Sequence, residues 1–203
     1  MYSSEDKILK RIRGRGRGSV FEVSHFLDIV PEQSTVRKSL SRLVQKKLIR
    51  RIATGLYDYP KKHPVLGELS PTPEAIAKAL AGKYKIRLMP SGAQAVNILH
   101  LSDQVPGRIV YLTDGPSKKV RVGHLRIELR QTTPRKMATA GKMSGLVIEA
   151  LRYLGEKRVT ESDTDQLKKM LSKSDKKQLQ KDIPLAPTWM HRYLRAVTNE
   201  GEQ

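Results

Sequence analysis

The segment from Ser34 to Tyr59 constrains the fold more than any other part of the chain. It begins with STVRKSLSRLVQKK, in which apolar residues recur at helical spacing and predict a helix with one buried face. These apolar residues are Val36, Leu40, Leu43 and Val44. It continues into LIRRIATGLYDY, where two short runs on either side of Gly55 predict a β-hairpin. A helix followed at once by such a hairpin is typical of the second half of a winged helix-turn-helix, a unit that places its helix in a DNA groove.

The outer face of the predicted helix is cationic, and so is the chain as a whole. A charged outer face is common on surface helices, but this chain carries 39 Lys and Arg against 20 Asp and Glu, for a formal net charge of +19. Residues 1–62 hold 15 basic and 6 acidic side chains, whereas residues 63–203 hold 24 and 14, so the positive charge is denser where the helix lies. Such a field attracts phosphates and predicts salt-dependent binding, so double-stranded DNA is the expected partner.

Two groups of residues are expected at the DNA. The candidates on the helix for base edges or nearby phosphates are Arg37, Lys38, Ser41 and Arg42, with Ser34, Thr35 and Gln45 as further DNA-binding residues. The candidates on the hairpin are Arg50, Arg51 and Tyr57. We expect the hairpin residues to contact phosphates, which position a protein on DNA without specifying the sequence.

The residues before this segment complete the predicted winged helix over residues 1–60. A first helix is expected to end in the glycine run 14–18, because glycine is costly inside a helix. Arg15 and Arg17 in that run are either phosphate or minor-groove contacts or parts of a solvated turn, and the sequence favours neither interpretation. A short strand at Val20-Phe21 and a second helix from Ser24 to Ile29 follow, and Ser34 is expected to cap the third, basic helix.

The sequence predicts the α+β class, with a mixed domain after the winged helix. Residues 61–73 contain three prolines and predict a linker, and residues 74–203 predict a domain with a small β-sheet and a helical C-terminus. Strands are predicted at residues 86–89 and 108–113, and a hairpin at residues 120–131. A helix is predicted at residues 93–101, and Ser162 is expected to cap one of the later helices.

Signals for catalysis are weak. The chain has no cysteine, which excludes disulfides and thiolate metal sites, and its five histidines are scattered. Asp114 and the run Glu128-Leu129-Arg130 are spaced like the carboxylates of Mg²⁺-dependent restriction-type nucleases. However, Arg130 stands where those nucleases have lysine, and arginine stays protonated. We therefore expect no catalytic residue, no metal and no cofactor, with a nuclease kept as an alternative.

No segment of the sequence predicts insertion into a membrane. The N-terminus has no apolar core like that of a signal peptide, and no long uncharged apolar run follows. We expect a cytoplasmic protein.

Four segments together resemble a known family. RGRGSVF, STVRKSLSRLVQKKLIRRIATGLYDYP, PSGAQAVNILHLSDQVPGRIVYLTDG and RIELRQTTPR are similar, in order and spacing, to AbiEi-type antitoxins of bacterial type IV toxin–antitoxin systems. The likeness runs from roughly residue 5 to 155. It implies a repressor that binds inverted repeats at the promoter of its own operon, and a homodimer on that DNA is a further expectation. It also implies that the second domain counters a nucleotidyltransferase-like toxin, without needing a stable complex.

For the second domain the resemblance supplies no residue roles, so only exposed basic residues are candidates for an antitoxin surface. They are Lys118, Lys119, Arg126 and Arg130. One further alternative stays open at this point: a plain winged-helix transcriptional regulator whose second domain dimerises or senses a ligand.

Overall fold

The computed structural model describes residues 3–82, 86–104 and 106–199. These residues form α-helices and small sheets, so the predicted α+β class is confirmed. The chain divides into two compact units, which are described separately below. Unit 1 is Met1–Ile86 with Lys118–Ile127, and unit 2 is Arg87–Ser117 with Glu128–Gln203.

Unit 1 begins with helix α1, Ser4–Arg15. Ser3 caps it: the Ser3 hydroxyl accepts a hydrogen bond from the backbone N–H of Asp6 at 3.1 Å, and the Asp6 carboxylate accepts one from the backbone N–H of Ser3 at 3.2 Å. The helix passes through Gly14 and ends at Arg15, and its C-cap is Gly16, whose φ of 83° suits glycine. The prediction that the glycine run ends this helix is confirmed.

The second helix of the sequence prediction is wrong in type and extent. Strand β1, Val20–Glu22, leads into a 3₁₀ helix at Val23–Phe26 instead of an α-helix from Ser24 to Ile29. The backbone N–H of Glu22 donates to His25 Nδ1 at 3.0 Å, which fixes the start of this short turn. The backbone N–H groups of both Ile29 and Val30 then bond the carbonyl of Phe26, so the chain folds back after one turn.

Helix α2, Gln33–Gln45, is the predicted basic helix. Its N-cap is Glu32 and not Ser34, so the predicted cap is wrong by two residues. The predicted buried face is confirmed, because Val36, Leu40 and Leu43 are fully buried.

The hairpin after α2 is also confirmed. Strands β2, Arg50–Ala53, and β3, Leu56–Asp58, pair antiparallel around Gly55, which has a φ of 73°. The three-stranded sheet has the order β1-β3-β2. Helices and sheet enclose one core, whose members include Ile8, Ile12, Phe21, Phe26, Leu40, Leu43, Ile49 and Tyr57. The winged-helix interpretation of this arrangement stays a prediction.

Unit 1 also contains the residues that the sequence predicts to be a linker. Strands β4, Lys62–His63, and β5, Gly67–Glu68, form a small hairpin there. Helix α3, Pro73–Ala81, is capped by Thr72 and packs against β1. Strand β8, Lys118–Val122, and the first residues of β9, Leu125–Gln131, complete the unit.

This division differs from the predicted boundary near residue 60, because the contacts of α3 and of β8 draw their segments into unit 1. The predicted division into a domain of residues 1–60, a linker of residues 61–73 and a domain of residues 74–203 stays a prediction.

Unit 2 packs helices beside short strands. Strand β6, Leu88–Pro90, pairs antiparallel with β7, Arg108–Thr113, and the last residues of β9 lie next to β7. The helices are α4 (Ala93–Ile98), α5 (Pro134–Met137), α6 (Met143–Leu154), α7 (Glu161–Met170), α8 (Lys173–Asp182) and α9 (His191–Thr198). Their apolar faces form a core whose members include Val96, Leu99, Val147, Leu151, Leu167, Leu179, Leu194 and Val197.

Three predicted boundaries in unit 2 are corrected. The strand predicted to begin at Ile86 begins at Leu88. The helix predicted to reach residue 101 ends at Ile98, because His100 adopts a φ of 53° that no α-helix contains. Thr160 and not Ser162 caps α7, since the Thr160 hydroxyl accepts the backbone N–H of Asp163 at 3.3 Å.

Candidate nucleic-acid interface

One face of helix α2 is exposed and cationic. It consists of the residues that the sequence predicts to contact DNA from the middle of the helix, namely Arg37, Lys38, Ser41, Arg42 and Gln45. All five are exposed, while the opposite side of the helix is anchored in the core of unit 1. Among the described residues, no carboxylate forms a salt bridge with Arg37, Lys38 or Arg42. Their charges are therefore available to a polyanion.

The N-cap residue of α2, Glu32, carries a negative charge. The hydroxyl groups of Ser34 and Thr35 donate to the two carboxylate oxygens of Glu32, at 2.5 Å and 2.8 Å. The Ser34 hydroxyl, with help from Thr35, lowers the pKa of Glu32, so this carboxylate is ionised at neutral pH. Both hydroxyls, predicted as DNA-binding groups, already donate their protons to Glu32.

Arg50 contributes to the fold, which differs from its expected phosphate contact. Its Nε donates to Asp58 Oδ1 at 3.0 Å and its Nη2 donates to Oδ2 at 2.5 Å, across the β2–β3 pair. Nη2 also donates to the carbonyl of Leu69 at 2.7 Å, and Nη1 lies 3.4 Å from Glu68. The Asp58 side chain is 1% exposed, and its hydrogen bond raises the pKa of Arg50. The next residue, Arg51, is exposed.

Tyr57 likewise lies in the core and not on the expected surface. It is 8% exposed, and its ring stacks on that of Phe21 with centroids 6.5 Å apart. Phe21 in turn meets Phe26 edge to face. The aromatic ring of Tyr57 therefore stabilises the packing of β3 against β1 and leaves little of its surface for a phosphate.

The two arginines of the glycine run differ in their surroundings. Arg17 donates from Nη1 to the carbonyl of Pro60 at 3.1 Å, and its guanidinium lies 4.8 Å from the centroid of the Tyr59 ring. Arg15 is the last residue of α1, and both arginines are exposed. Arg17 thus joins the start of β1 to the end of the hairpin, while its exposed part stays open to solvent.

The four residues predicted for an antitoxin surface differ in their contacts and exposure. Lys118 is held by the carbonyl of Leu80 at 2.6 Å and lies 3.6 Å from Glu22. Lys119 and Arg126 are exposed on the β8–β9 hairpin of unit 1. Arg130, in unit 2, donates from Nε and Nη2 to Glu128 Oε1 at 3.1 Å and 3.0 Å.

The carboxylates of the nuclease alternative are both paired with arginines. Asp114 accepts hydrogen bonds from the backbone N–H and the Nε of Arg87, both at 2.8 Å, and these lower the pKa of Asp114. Glu128 is paired with Arg130 and lies 3.6 Å from Arg108. In the described ranges, no three His, Asp or Glu side chains are grouped so that they could hold a metal ion.

One exposed apolar feature was not predicted. Val65 and Leu66, at the tip of the β4–β5 hairpin, are 85% and 72% exposed. Their backbone N–H groups both donate to His63 Nδ1 at 3.2 Å, which gives the tip a defined shape. The signal in the sequence is an apolar pair between two lysines, Lys61 and Lys62, and Gly67. The three prolines of residues 61–73 predict a linker there instead of a hairpin.

The chain belongs to a family that is described as a family of unknown function, DUF6088, whose model matches residues 7–179. No curated protein matches the chain. No helix among the described residues is long and apolar enough to cross a bilayer.

Proposed function

We propose that this protein is a transcriptional repressor that binds double-stranded DNA through a winged helix in unit 1. The observation that carries the proposal is the exposed face of α2. Three fully buried apolar residues hold one side of the helix in the core, so Arg37, Lys38 and Arg42, which form no salt bridge within the described part of the chain, point away from the protein. A helix of 13 residues is about 20 Å long, and an α-helix fits the major groove of B-DNA.

The hairpins of unit 1 supply contacts beside this helix. Arg51 is exposed on β2, next to the turn at Gly55, and is suited to a phosphate. At the tip of the second hairpin, Val65 and Leu66 follow the exposed Lys61 and Lys62. Apolar side chains beside lysines are a combination that minor-groove binding proteins use against base steps. The two hairpins extend the DNA contact beyond the base edges that α2 reaches.

The resemblance to AbiEi-type antitoxins supports a second part of the proposal. In it, the protein represses its own operon at inverted repeats, as a homodimer, and counters a nucleotidyltransferase-like toxin. A plain regulator without antitoxin activity is the alternative. We do not propose a nuclease, because Arg87 and Arg130 already neutralise the two carboxylates that would have to bind Mg²⁺.

Fluorescence anisotropy with the full chain tests the DNA part. The promoter fragment of the protein's own operon is compared with a scrambled fragment, for the protein and for the Arg37→Ala/Arg42→Ala variant. Because a bidentate Arg–guanine contact gives about 1–3 kcal/mol of discrimination, we expect the variant to lose roughly 5- to 150-fold in preference for the promoter per base-reading arginine.

Lys7→Ala/Lys10→Ala is the matched control, because it removes the same charge from exposed positions of α1. It should weaken binding to both fragments alike. Equal behaviour of the two double variants would overturn the role of α2.

Co-expression tests the antitoxin part. A nucleotidyltransferase-like protein encoded beside this gene should arrest growth alone and not when the full chain is present. The Arg37→Ala/Arg42→Ala variant should still protect while it no longer represses the promoter. Normal growth with the neighbouring protein alone would favour the plain regulator.

A further inference from the structure

Unit 2 contains a cavity that the proposed DNA contact does not use. Its volume is about 690 Å³, within the range of roughly 300–1,000 Å³ typical of small-molecule sites. The wall is formed by the turn before α4, by β7, by the end of β9 and by helices α5 and α6. Four cationic side chains line it: Arg108, Arg130, Lys136 and Arg152.

Two carboxylates orient the arginines without cancelling the charge of the wall. Glu128, whose side chain is 10% exposed, lies 3.0 Å from Arg130 and 3.6 Å from Arg108. Glu149, 6% exposed, accepts a hydrogen bond from Arg152 Nε at 3.0 Å. Four cations against two carboxylates leave a net positive charge.

The guanidinium groups keep donors for a ligand. The side chains of Arg108 and Arg130 are 60% and 51% exposed, and a guanidinium has five donors, so each has N–H groups left for an anion. Lys136 lines the wall with no carboxylate partner among the described residues. A phosphate group matches such a set of donors.

An aromatic side chain completes the wall. Tyr153, on α6, is 51% exposed and lines the same cavity. Its ring lies against Gly92, where an added Cβ atom would be 3.2 Å from Tyr153 Cδ2. The absence of a side chain at Gly92 therefore leaves room for the ring at this position. An exposed aromatic ring beside arginines is the arrangement on which nucleic-acid bases stack.

We propose that this cavity binds a nucleoside phosphate, with the base on Tyr153 and the phosphates on Arg108, Arg130 and Lys136. The ligand is either a free nucleotide or the terminal nucleotide of a single strand, since both present a base beside a phosphate. This site is independent of duplex binding by α2, and its occupation does not require Arg37 or Arg42.

Isothermal titration calorimetry with the full chain tests the site. ATP, CTP, GTP and UTP are titrated one at a time, and tripolyphosphate is the probe without a base, at about 0.15 M salt to screen the net charge. At least one nucleotide should bind with a stoichiometry of one. Lys136→Glu should weaken it at least about tenfold, because a charge-assisted hydrogen bond is replaced by repulsion.

Lys177→Glu is the matched control, since it makes the same charge change at an exposed position of α8 outside the cavity. Its affinity should stay within about twofold of the unchanged protein. Tyr153→Ala should weaken nucleotides and leave tripolyphosphate unchanged. Thermal unfolding of each variant checks that unit 2 is folded.

Three results would overturn the site: no binding of any nucleotide, equal losses in the Lys136 and Lys177 variants, or equal affinity for nucleotides and tripolyphosphate that Tyr153→Ala does not alter.

A single-stranded RNA of ten nucleotides, titrated in the Arg37→Ala/Arg42→Ala background, separates the two sources of the ligand, a free nucleotide and the end of a strand. Binding that is tighter than that of the best mononucleotide and that Lys136→Glu weakens at least about tenfold assigns the site to a strand end, and any other result with this RNA assigns it to a free nucleotide.

Discussion

The exposed face of α2 and the cavity wall of unit 2 are both cationic, but they balance their charge differently. On α2, no carboxylate pairs with the arginines and the lysine among the described residues, whereas in unit 2 Glu128 and Glu149 hold three of the four cations. The same contrast separates two neighbours in β2, because Arg50 is paired with Asp58 and Arg51 is exposed. Pairing with a buried carboxylate lets a cation stabilise the fold, and its exposed N–H groups can still reach a ligand, whereas an unpaired cation offers a ligand its full charge.

The largest expected effect is a loss of stability in the Arg50→Ala variant. It leaves the carboxylate of Asp58 buried without its bidentate partner. Breaking a buried ion pair costs about 3–5 kcal/mol, and the 31% exposure of the Arg50 side chain places the expected loss near the lower end, at about 3 kcal/mol. Urea unfolding measures it.

Arg51→Ala is the control for this experiment and should change the free energy of unfolding by less than about 0.5 kcal/mol. The Asp58→Asn change should restore part of the stability in the Arg50→Ala background, because it removes the buried charge. Equal stability of the two arginine variants would break the distinction between paired and unpaired cations.

A smaller loss of stability is expected for Asp182→Asn in unit 2. The carboxylate of Asp182 accepts the Ser144 hydroxyl at 2.6 Å and Gln178 Nε2 at 2.9 Å, and so joins α6 to α8. Lys142 Nζ lies 3.4 Å away. Replacing a charged acceptor by an amide should cost about 1.5–3 kcal/mol near pH 7. Urea unfolding of both proteins gives this difference.

The pH dependence of that loss follows from the pKa of Asp182. Burial alone would raise this pKa, but the hydrogen bonds from Ser144 and Gln178 outweigh it, so the pKa is lowered. The contribution of Asp182 to stability is therefore present above the unfolded pKa of about 3.9 and is lost as the pH falls through the folded value. The difference in stability between the unchanged protein and the Asp182→Asn variant should shrink below about pH 4. A difference in stability that is constant with pH would show that the ionised carboxylate of Asp182 does not stabilise the fold.

The sequence was sufficient for elements whose signal is local. The apolar spacing of Val36, Leu40 and Leu43 predicts the buried face of α2, and Gly55 predicts the hairpin turn, because both depend only on residues close in the chain. Strand β7 has its predicted bounds for the same reason. By contrast, prolines alone did not show that residues 62–68 form a hairpin.

Contacts between distant residues could not be predicted. The pairing of Arg50 with Asp58 depends on the register of β2 and β3, which shifts between Arg51 and Ala53. The cavity of unit 2 joins Gly92, Arg130 and Tyr153, which are far apart in the chain. Composition gives the number of cations, while their partners, and hence their availability, follow from the tertiary structure.

For the exposed Arg51, we expect a moderate effect on DNA binding. Arg51→Ala should reduce the slope of log affinity against log salt concentration by about one, because one phosphate contact releases about 0.9 counterions. The loss should be the same for promoter and scrambled DNA, since a phosphate carries no sequence information. Anisotropy titrations at several salt concentrations measure the slope. A loss confined to the promoter fragment would instead assign Arg51 to a base.

The smallest effect is expected at Glu32, the anionic N-cap residue of α2. Glu32→Gln keeps an acceptor for the hydroxyls of Ser34 and Thr35 but removes a charge that repels phosphates. Scrambled DNA should therefore bind about twofold more tightly at about 0.05 M salt, and the gain should shrink at about 0.15 M as screening increases.

Because the pKa of Glu32 is lowered, this carboxylate stays ionised between about pH 5 and 8, so the difference in affinity between the Glu32→Gln variant and the unchanged protein should stay constant over that range. A variant that binds only the promoter fragment more weakly would show that Glu32 accepts a hydrogen bond from a base such as cytosine. In that case the negative charge at the N-cap of α2 would select the DNA sequence instead of limiting non-specific binding.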